Sequence, residues 1–237
     1  KPALVDGFPD GRPEVELTYR GPEGTDVPAT TTCRSAGDQT VLCARPVSDK
    51  SGIAIVSTES GSGKSTVSAN LGFSFSRMRD KRTIVLDFDL RRMGLARVLG
   101  QKPKHSMSEV LERRLSFAEH GLCHEGNLIF GLNRDRVQNP SELLQSPVSA
   151  AVIDEIEANY QPDLMFFDTP PMMVSDDSQG FLQSVDCALV VVAAEKTPME
   201  RIDVAERQLS ELTNVLGIVL NQCRYTGGAH GYENEYY

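Results

Sequence analysis

No apolar run in this 237-residue chain approaches the length of a membrane-spanning helix, and no secretory leader is visible. The chain opens on Lys1 rather than Met, so upstream sequence, with a membrane anchor in it, is an expectation left open. A basic stripe is also missing. The 24 Lys and Arg are scattered among 33 Asp and Glu, giving a net charge of -9, and a nucleic-acid partner is therefore not expected. The five cysteines, at 33, 43, 123, 187 and 223, are odd in number and widely spaced. That pattern fits reduced thiols in the cytoplasm better than a disulfide framework. His120, Cys123 and His124 make half of a zinc site, but no second ligand pair follows at a suitable spacing, so this stretch is read as an ordinary loop.

What is present is enough chain for one α/β domain with its own core. Residues 1–50 hold six of the thirteen prolines and only short apolar runs, and read as an extended, partly ordered N-terminal segment. From Ile53 onward apolar strands alternate with helical stretches. Strands are expected at Ile53–Val56, Thr83–Asp87, Asn127–Leu132, Leu164–Asp168, Cys187–Ala194 and Val215–Leu220. Helices are expected after Gly63, around Met107–His120, from Ser141 as cap to about Tyr160, and from Pro198 to about Leu212. Strands this uniformly apolar, separated by helices, imply a mostly parallel sheet sandwiched by helices, with ligands beyond the carboxyl ends of the strands. The domain is placed at 51–224 and a flexible tail at 225–237.

The stretch Ser57–Thr66, STESGSGKST, follows the first strand and opens a helix. Such a loop is a phosphate cradle: Gly61 and Gly63 let backbone N–H groups turn inward beside Ser60 and Ser62, and the helix adds its positive end. Lys64 is placed to reach the terminal phosphates, with Ser65 on Mg²⁺ and Thr66 completing the grip. Thr58 stands where the strict pattern has glycine.

Two further strand ends supply carboxylates. In Ile84–Arg91, IVLDFDLR, the period-two alternation of an extended chain puts Asp87, Asp89 and Arg91 on one side. A carboxylate there can take the proton of an attacking hydroxyl, and a second can hold the Mg²⁺ shell. The apolar strand Leu164–Phe167 delivers Asp168 ahead of Thr169-Pro170-Pro171, the arrangement of a metal-side Walker B acid.

Together these pieces resemble the bacterial tyrosine kinases of the polysaccharide co-polymerase systems, P-loop NTPases of the deviant Walker, MinD/ParA-like type. STESGSGKST matches Walker A, IVLDFDLR the additional A′ motif and FFDTPP Walker B; NPSELLQS and VLGIVLNQC match the segments before a helix and at the closing strand. The resemblance implies ATP and Mg²⁺ as cofactors, Lys64, Asp87 and Asp89 as catalytic groups, and Asp168 with Ser65 and Asp89 on the metal. Asp87 is assigned as base, and Asn221 joins residues 60–66 in holding the nucleotide. It implies phosphorylation in trans of a tyrosine-rich tail, here Tyr225, Tyr232, Tyr236 and Tyr237, in a homo-oligomer. It further implies a membrane co-polymerase activator or an anchor outside this sequence, a phosphotyrosine phosphatase as counterpart, and a place at the inner face of the cell membrane. Two departures stand out: the Glu-x-x-Arg-x-x-Arg element of ring-forming members is not found in residues 1–50, and Arg92-Met93 follows Arg91 where many relatives carry proline. Two rival readings remain, a partitioning-type ATPase switch and a nucleotide-gated adaptor without catalysis. The switch proteins carry a signature lysine where this chain has Glu59.

Overall fold

The apolar run at residues 52–56 forms β5 (Gly52–Val56), an interior strand of a seven-stranded sheet. The computed structural model describes residues 52–173 and 179–223, together with four short N-terminal strands. Those four are β1 (Leu17–Arg20), β2 (Asp26–Ala29), β3 (Arg34–Ala36) and β4 (Gln39–Val41). They pair as two antiparallel ladders, β1 with β2 and β3 with β4. The rest of the expected N-terminal segment, and the tail at 225–237, lie outside the described residues.

The other strands of the main sheet are β6 (Thr83–Asp87), β7 (Leu122–His124), β8 (Leu128–Gly131), β9 (Leu164–Asp168), β10 (Cys187–Ala193) and β11 (Asn214–Asn221). Their order is β11-β10-β5-β9-β6-β8-β7, parallel throughout except for β7, which pairs antiparallel at one edge. From β5 the chain goes to β6 and β8, returns to insert β9, then crosses to β10 and β11. This doubly wound path lines up the carboxyl ends of β5, β9 and β6.

Alternate residues of each strand enter opposite cores. Ile53, Ile55, Val85, Phe166 and Val191 pack under α1 (Lys64–Ser76) and α2 (Gly94–Val98). Ala54, Val56, Ile84, Leu86, Phe167 and Val190 pack on the other face. That face is covered by α3 (Met107–Leu111), α4 (Phe117–His120), α6 (Pro147–Tyr160) and α8 (Met199–Ser210). Completing the list are α5 (Pro140–Leu144) and α7 (Gln179–Leu182). The expected sandwich of helices about a mostly parallel sheet is what forms.

Local boundaries differ from the expected ones for identifiable reasons. The helix expected over Met107–His120 is two, because Arg113 is left-handed (φ 59°) and Ser106 with Glu109, then Ser116 with Glu119, build separate capping boxes. The helix expected to run from Ser141 breaks before Pro147, whose missing N–H suits a first turn and not an interior. Its cap is Ser146, whose hydroxyl accepts from the Val148 N–H at 3.2 Å; Ser141 lies inside α5. The stretch read as a loop around Cys123 is the edge strand β7. Left-handed Glu125 and Gly126 turn it into β8. Among the described residues no group of three or more His, Cys, Asp or Glu is disposed to hold a metal by itself.

Between the two carboxylates of β6's end, Phe88 is fully buried in a trio of rings, 5.0 Å from Phe167 and 4.7 Å from Phe181 between centroids. This anchor fixes the loop that carries Asp87 and Asp89. Phe88→Ala is expected to lower unfolding stability by about 3–5 kcal/mol, seen as a lower urea midpoint with an unchanged slope; a loss below about 1 kcal/mol would show that the trio does not hold the loop.

Candidate active site

The loop after β5 is bent by two left-handed glycines, Gly61 (φ 84°) and Gly63 (φ 89°). Inside it the hydroxyls of Ser57 and Ser62 donate to the Glu59 carbonyl at 2.7 and 3.0 Å. From the end of β11, the Asn221 amide donates to the Ser62 carbonyl at 2.8 Å, and the neighbouring Gln222 amide to the Gly61 carbonyl at 2.7 Å. A Cβ on Gly63 would fall 2.2 Å from Asn221 Nδ2, so glycine is required there for space as well as for φ.

The helix that follows begins without a side-chain cap and without an acidic residue in its first turn. Its first N–H groups and its positive end are left for an anion. Lys64, in that first turn, is buried, which pushes its ammonium below the ordinary lysine range; Asp168 and Asp89 pull it back up.

Parallel pairing of β6 with β9 sets Asp87 directly beside Asp168, each the last residue of its strand and each fully buried. Asp89, two residues on, is also buried. Burial raises the Asp87 carboxyl well above the usual range, and the negative charges of Asp168 and Asp89 raise it further. Burial pushes Asp168 up to about 6, against the opposing pull of the Lys64 charge. Ser68, one turn along α1, donates its hydroxyl to Asp168 Oδ1 at 3.2 Å. The N–H groups of Leu95 and Asp89 face the Asp87 carboxylate and the Ser65 hydroxyl that of Asp168, but neither oxygen of Asp87, nor Oδ2 of Asp168, accepts a hydrogen bond of ordinary geometry. Buried acceptors left in that state are what a cation satisfies.

Lys64, Ser65, Asp87, Asp89 and Asp168 are thus brought together as expected. Arg91 is not. The strand ends at Asp87 and the chain turns, with the Arg92 N–H reaching the Asp89 carbonyl at 3.1 Å, so period-two alternation stops and Arg91 is exposed. Arg92 instead donates to the Ser60 hydroxyl. Met93 then sits at φ 49°, a conformation proline cannot adopt, so a proline here would require a turn of different shape. Glu59 is held by the guanidinium of Arg201 on α8. The four tail tyrosines lie outside the described residues.

Two contributors escaped sequence reasoning, and a third, Thr58, figured there only as a departure from the motif. Gly94 starts α2 so close to the cradle that a Cβ would lie 2.2 Å from Ser65 Oγ. Asn133, just past β8, donates its amide to the Asp87 carbonyl at 2.7 Å. Thr58 is fully buried with a hydroxyl that meets no partner. Only Gly94 carries a local signal, a glycine closing the A′ turn.

Residues 53–234 match the model of the CobQ/CobB/MinD/ParA nucleotide binding domain. The chain belongs to that family. Its relatives include the tyrosine-protein kinase CpsD of Streptococcus pneumoniae serotype 4, 29% identical over 183 residues, covering 76% of this chain and 79% of that one. The tyrosine-protein kinase YwqD of Bacillus subtilis is 28% identical over 171 residues, 71% of each chain. Among solved structures the VpsO kinase domain superposes with a TM-score of 0.67 at 25% identity, covering 74% of this chain and 86% of that one. The resemblance read from the motifs is borne out, as is the fold class.

The site also fits the metal that accompanies a nucleotide in such a fold. Mg²⁺ takes one or two carboxylates and completes its shell with water and phosphate oxygens, so the buried carboxylates of Asp168 and Asp89 beside Ser65 suit it without a full protein cage.

Because the folded state raises the Asp87 carboxyl, it holds that proton more tightly than the unfolded chain does. Stability present below about pH 4 is therefore lost as pH rises towards the native value, and Asp168 adds a loss of the same sign between about pH 4 and 6. Asp87→Asn is expected to be more stable than the parent by about 1–3 kcal/mol near neutral pH, with little gain near pH 4. Urea unfolding without nucleotide or metal checks it, and a gain independent of pH would refute the assignment.

Proposed function

We propose that this domain is an ATP- and Mg²⁺-dependent protein-tyrosine kinase that phosphorylates Tyr225, Tyr232, Tyr236 and Tyr237 of a neighbouring copy. The observation that carries this reading is the second set of carboxylates. Lys64, Ser65 and Asp168 suit the grip on nucleotide and metal; Asp87 and Asp89 add buried acids at the adjoining strand end, where an attacking hydroxyl must lose its proton, and the tyrosines at 225, 232, 236 and 237 supply that hydroxyl in place of the water of a hydrolytic switch.

In the reaction the tyrosine hydroxyl oxygen forms a bond to the γ-phosphorus, the bond from that phosphorus to the β,γ-bridging oxygen breaks, and ADP leaves. Asp87 is the base that takes the phenolic proton. Its raised affinity for a proton suits that task, and Asn133 holds its backbone in place. Lys64 and the N–H groups of residues 60–66 grip the phosphates, with Asn221 bracing the loop. Ser65, Asp89 and Asp168 would hold Mg²⁺, which supplies charge neutralisation at the transferred group. Catalysis on this plan is mainly positioning and preorganised charge.

The names of the relatives support the same activity, and CpsD and YwqD are of a size that this chain largely spans. The wider assignment is to capsule or exopolysaccharide synthesis and export at the inner face of the membrane. There the chain works with a co-polymerase activator or an anchor outside this sequence, as a homo-oligomer reset by a phosphotyrosine phosphatase. The rival ATPase switch is disfavoured by Glu59, which carries the wrong charge for a signature lysine and is tied to Arg201 of its own chain.

Intact-mass analysis of dephosphorylated protein incubated with Mg-ATP, with and without a cytoplasmic activator segment, tests the assignment. Added phosphates are expected on the full chain and absent from a chain truncated after Arg224. Lys64→Ala is expected to slow the reaction by about 10²-fold or more, and Asp87→Asn by about 10²–10⁴-fold. Phosphate release from ATP with no phosphoprotein would overturn the kinase reading in favour of the switch.

A further inference from the structure

Beside the carboxylates, on the β8 side, lies a second cleft of about 290 Å³. Its walls include Met93, Arg97, Lys102, Pro103, Asn133 and Arg134. Three of its lining side chains are cationic and none is acidic, in a chain of net charge -9. The cleft shares its walls with the active site: Asn133 bonds the Asp87 carbonyl, and the Met93 N–H reaches the Asp89 carbonyl at 3.4 Å.

Its charged wall is built on fixed backbone. The Ser106 hydroxyl, at the start of α3, accepts from the N–H groups of Arg134 and Asp135 at 2.9 and 3.0 Å. Arg134 also donates to the Lys104 carbonyl at 2.7 Å, and Arg97 to the Arg92 carbonyl at 3.2 Å. Asp135, outside the lining, takes Arg134 Nε.

Strand order tells which ligand approaches here. Along the carboxyl edge the sequence of groups is Asn221 on β11, the loop after β5, Asp168 on β9, Asp87 on β6 and Asn133 after β8. The nucleotide loop and its Asn221 brace stand at one end of that row and the cleft at the other. A group arriving at Asp87 from the side away from the nucleotide passes over Arg97, Lys102 and Arg134.

The acceptor segment has the complementary charge. Glu233 directly follows Tyr232 and Glu235 directly precedes Tyr236. We propose that the cleft of Arg97, Lys102 and Arg134 binds the acidic residues next to the acceptor tyrosines, Glu233 and Glu235 of a second copy of this chain. It thereby selects tyrosines with an adjacent carboxylate. The inference takes its acceptor segment from the kinase reading, but the docking itself requires no phosphoryl transfer.

The test uses the full chain and a fluorescent peptide of residues 225–237, with binding followed by anisotropy in the absence of ATP. Lys102→Glu with Arg134→Glu is expected to weaken binding about three- to tenfold at low salt, with the difference shrinking as salt is raised. A peptide carrying Glu233→Lys and Glu235→Lys is expected to show the reverse preference, binding the doubly substituted chain better than the parent. With Mg-ATP the same pairings are expected to move KM and leave kcat within about twofold. Equal binding of both peptides by both chains would overturn the docking site and leave the kinase reading standing. Loss of binding without rescue by the lysine peptide would overturn it too. If the charge swap holds in binding while no phosphate is transferred, the docking site stands and the kinase reading falls.

Discussion

Everything at the carboxyl edge of the sheet follows from two like charges being set side by side. Parallel pairing of β6 with β9 makes Asp87 and Asp168 lateral neighbours, and both are shut away from water. Two bare carboxylates in that position repel each other and have lost their hydration. The fold answers with a buried lysine and with protonation. Each answer is partial, and the N–H groups of Leu95 and Asp89 and the hydroxyls of Ser65 and Ser68 offset only part of the burial cost. A cation beside these carboxylates would lower the cost of keeping both ionised.

That arrangement has to be held against its own repulsion, and the means are apolar. Phe88 points away from the site into a ring cluster with Phe167 and Phe181. Phe167 is the residue immediately before Asp168, so one cluster pins the backbone beside both acids. The cradle is fastened from the opposite flank by Asn221 and Gln222, donors at the far end of the last strand. Site geometry is therefore set by contacts that span the whole chain, from residue 57 to residue 222.

How much of this could be read from sequence divides along physical lines. Buried parallel strands are continuous apolar runs, so β5, β6, β9, β10 and β11 were legible to within a residue or so, and with them the positions of Lys64, Asp87 and Asp168. Short helices were not, because their ends depend on single dihedrals and caps: left-handed Arg113 and the Ser146–Pro147 junction each split a segment that periodicity alone makes continuous. Edge strand β7 is three residues long and half exposed, too short for alternation to show. Arg91 and Arg92 exchanged places in the argument for a similar reason. Strand periodicity is a rule about extended backbone, and the backbone had already turned.

The exchange of those two arginines bears on what kind of P-loop protein this is. A switch that acts by closing on a partner needs its cradle free to receive a basic residue from outside. Here the cradle already meets Arg92 at Ser60, from the A′ turn, and Glu59 is drawn onto Arg201 of α8. Basic groups of the same chain therefore flank the loop on two sides. On the β8 flank lies the cationic cleft of Arg97, Lys102 and Arg134, whose charge suits an acidic segment and not an incoming lysine. If the acceptor is the acidic tail proposed above, its selection falls to the charges of that cleft.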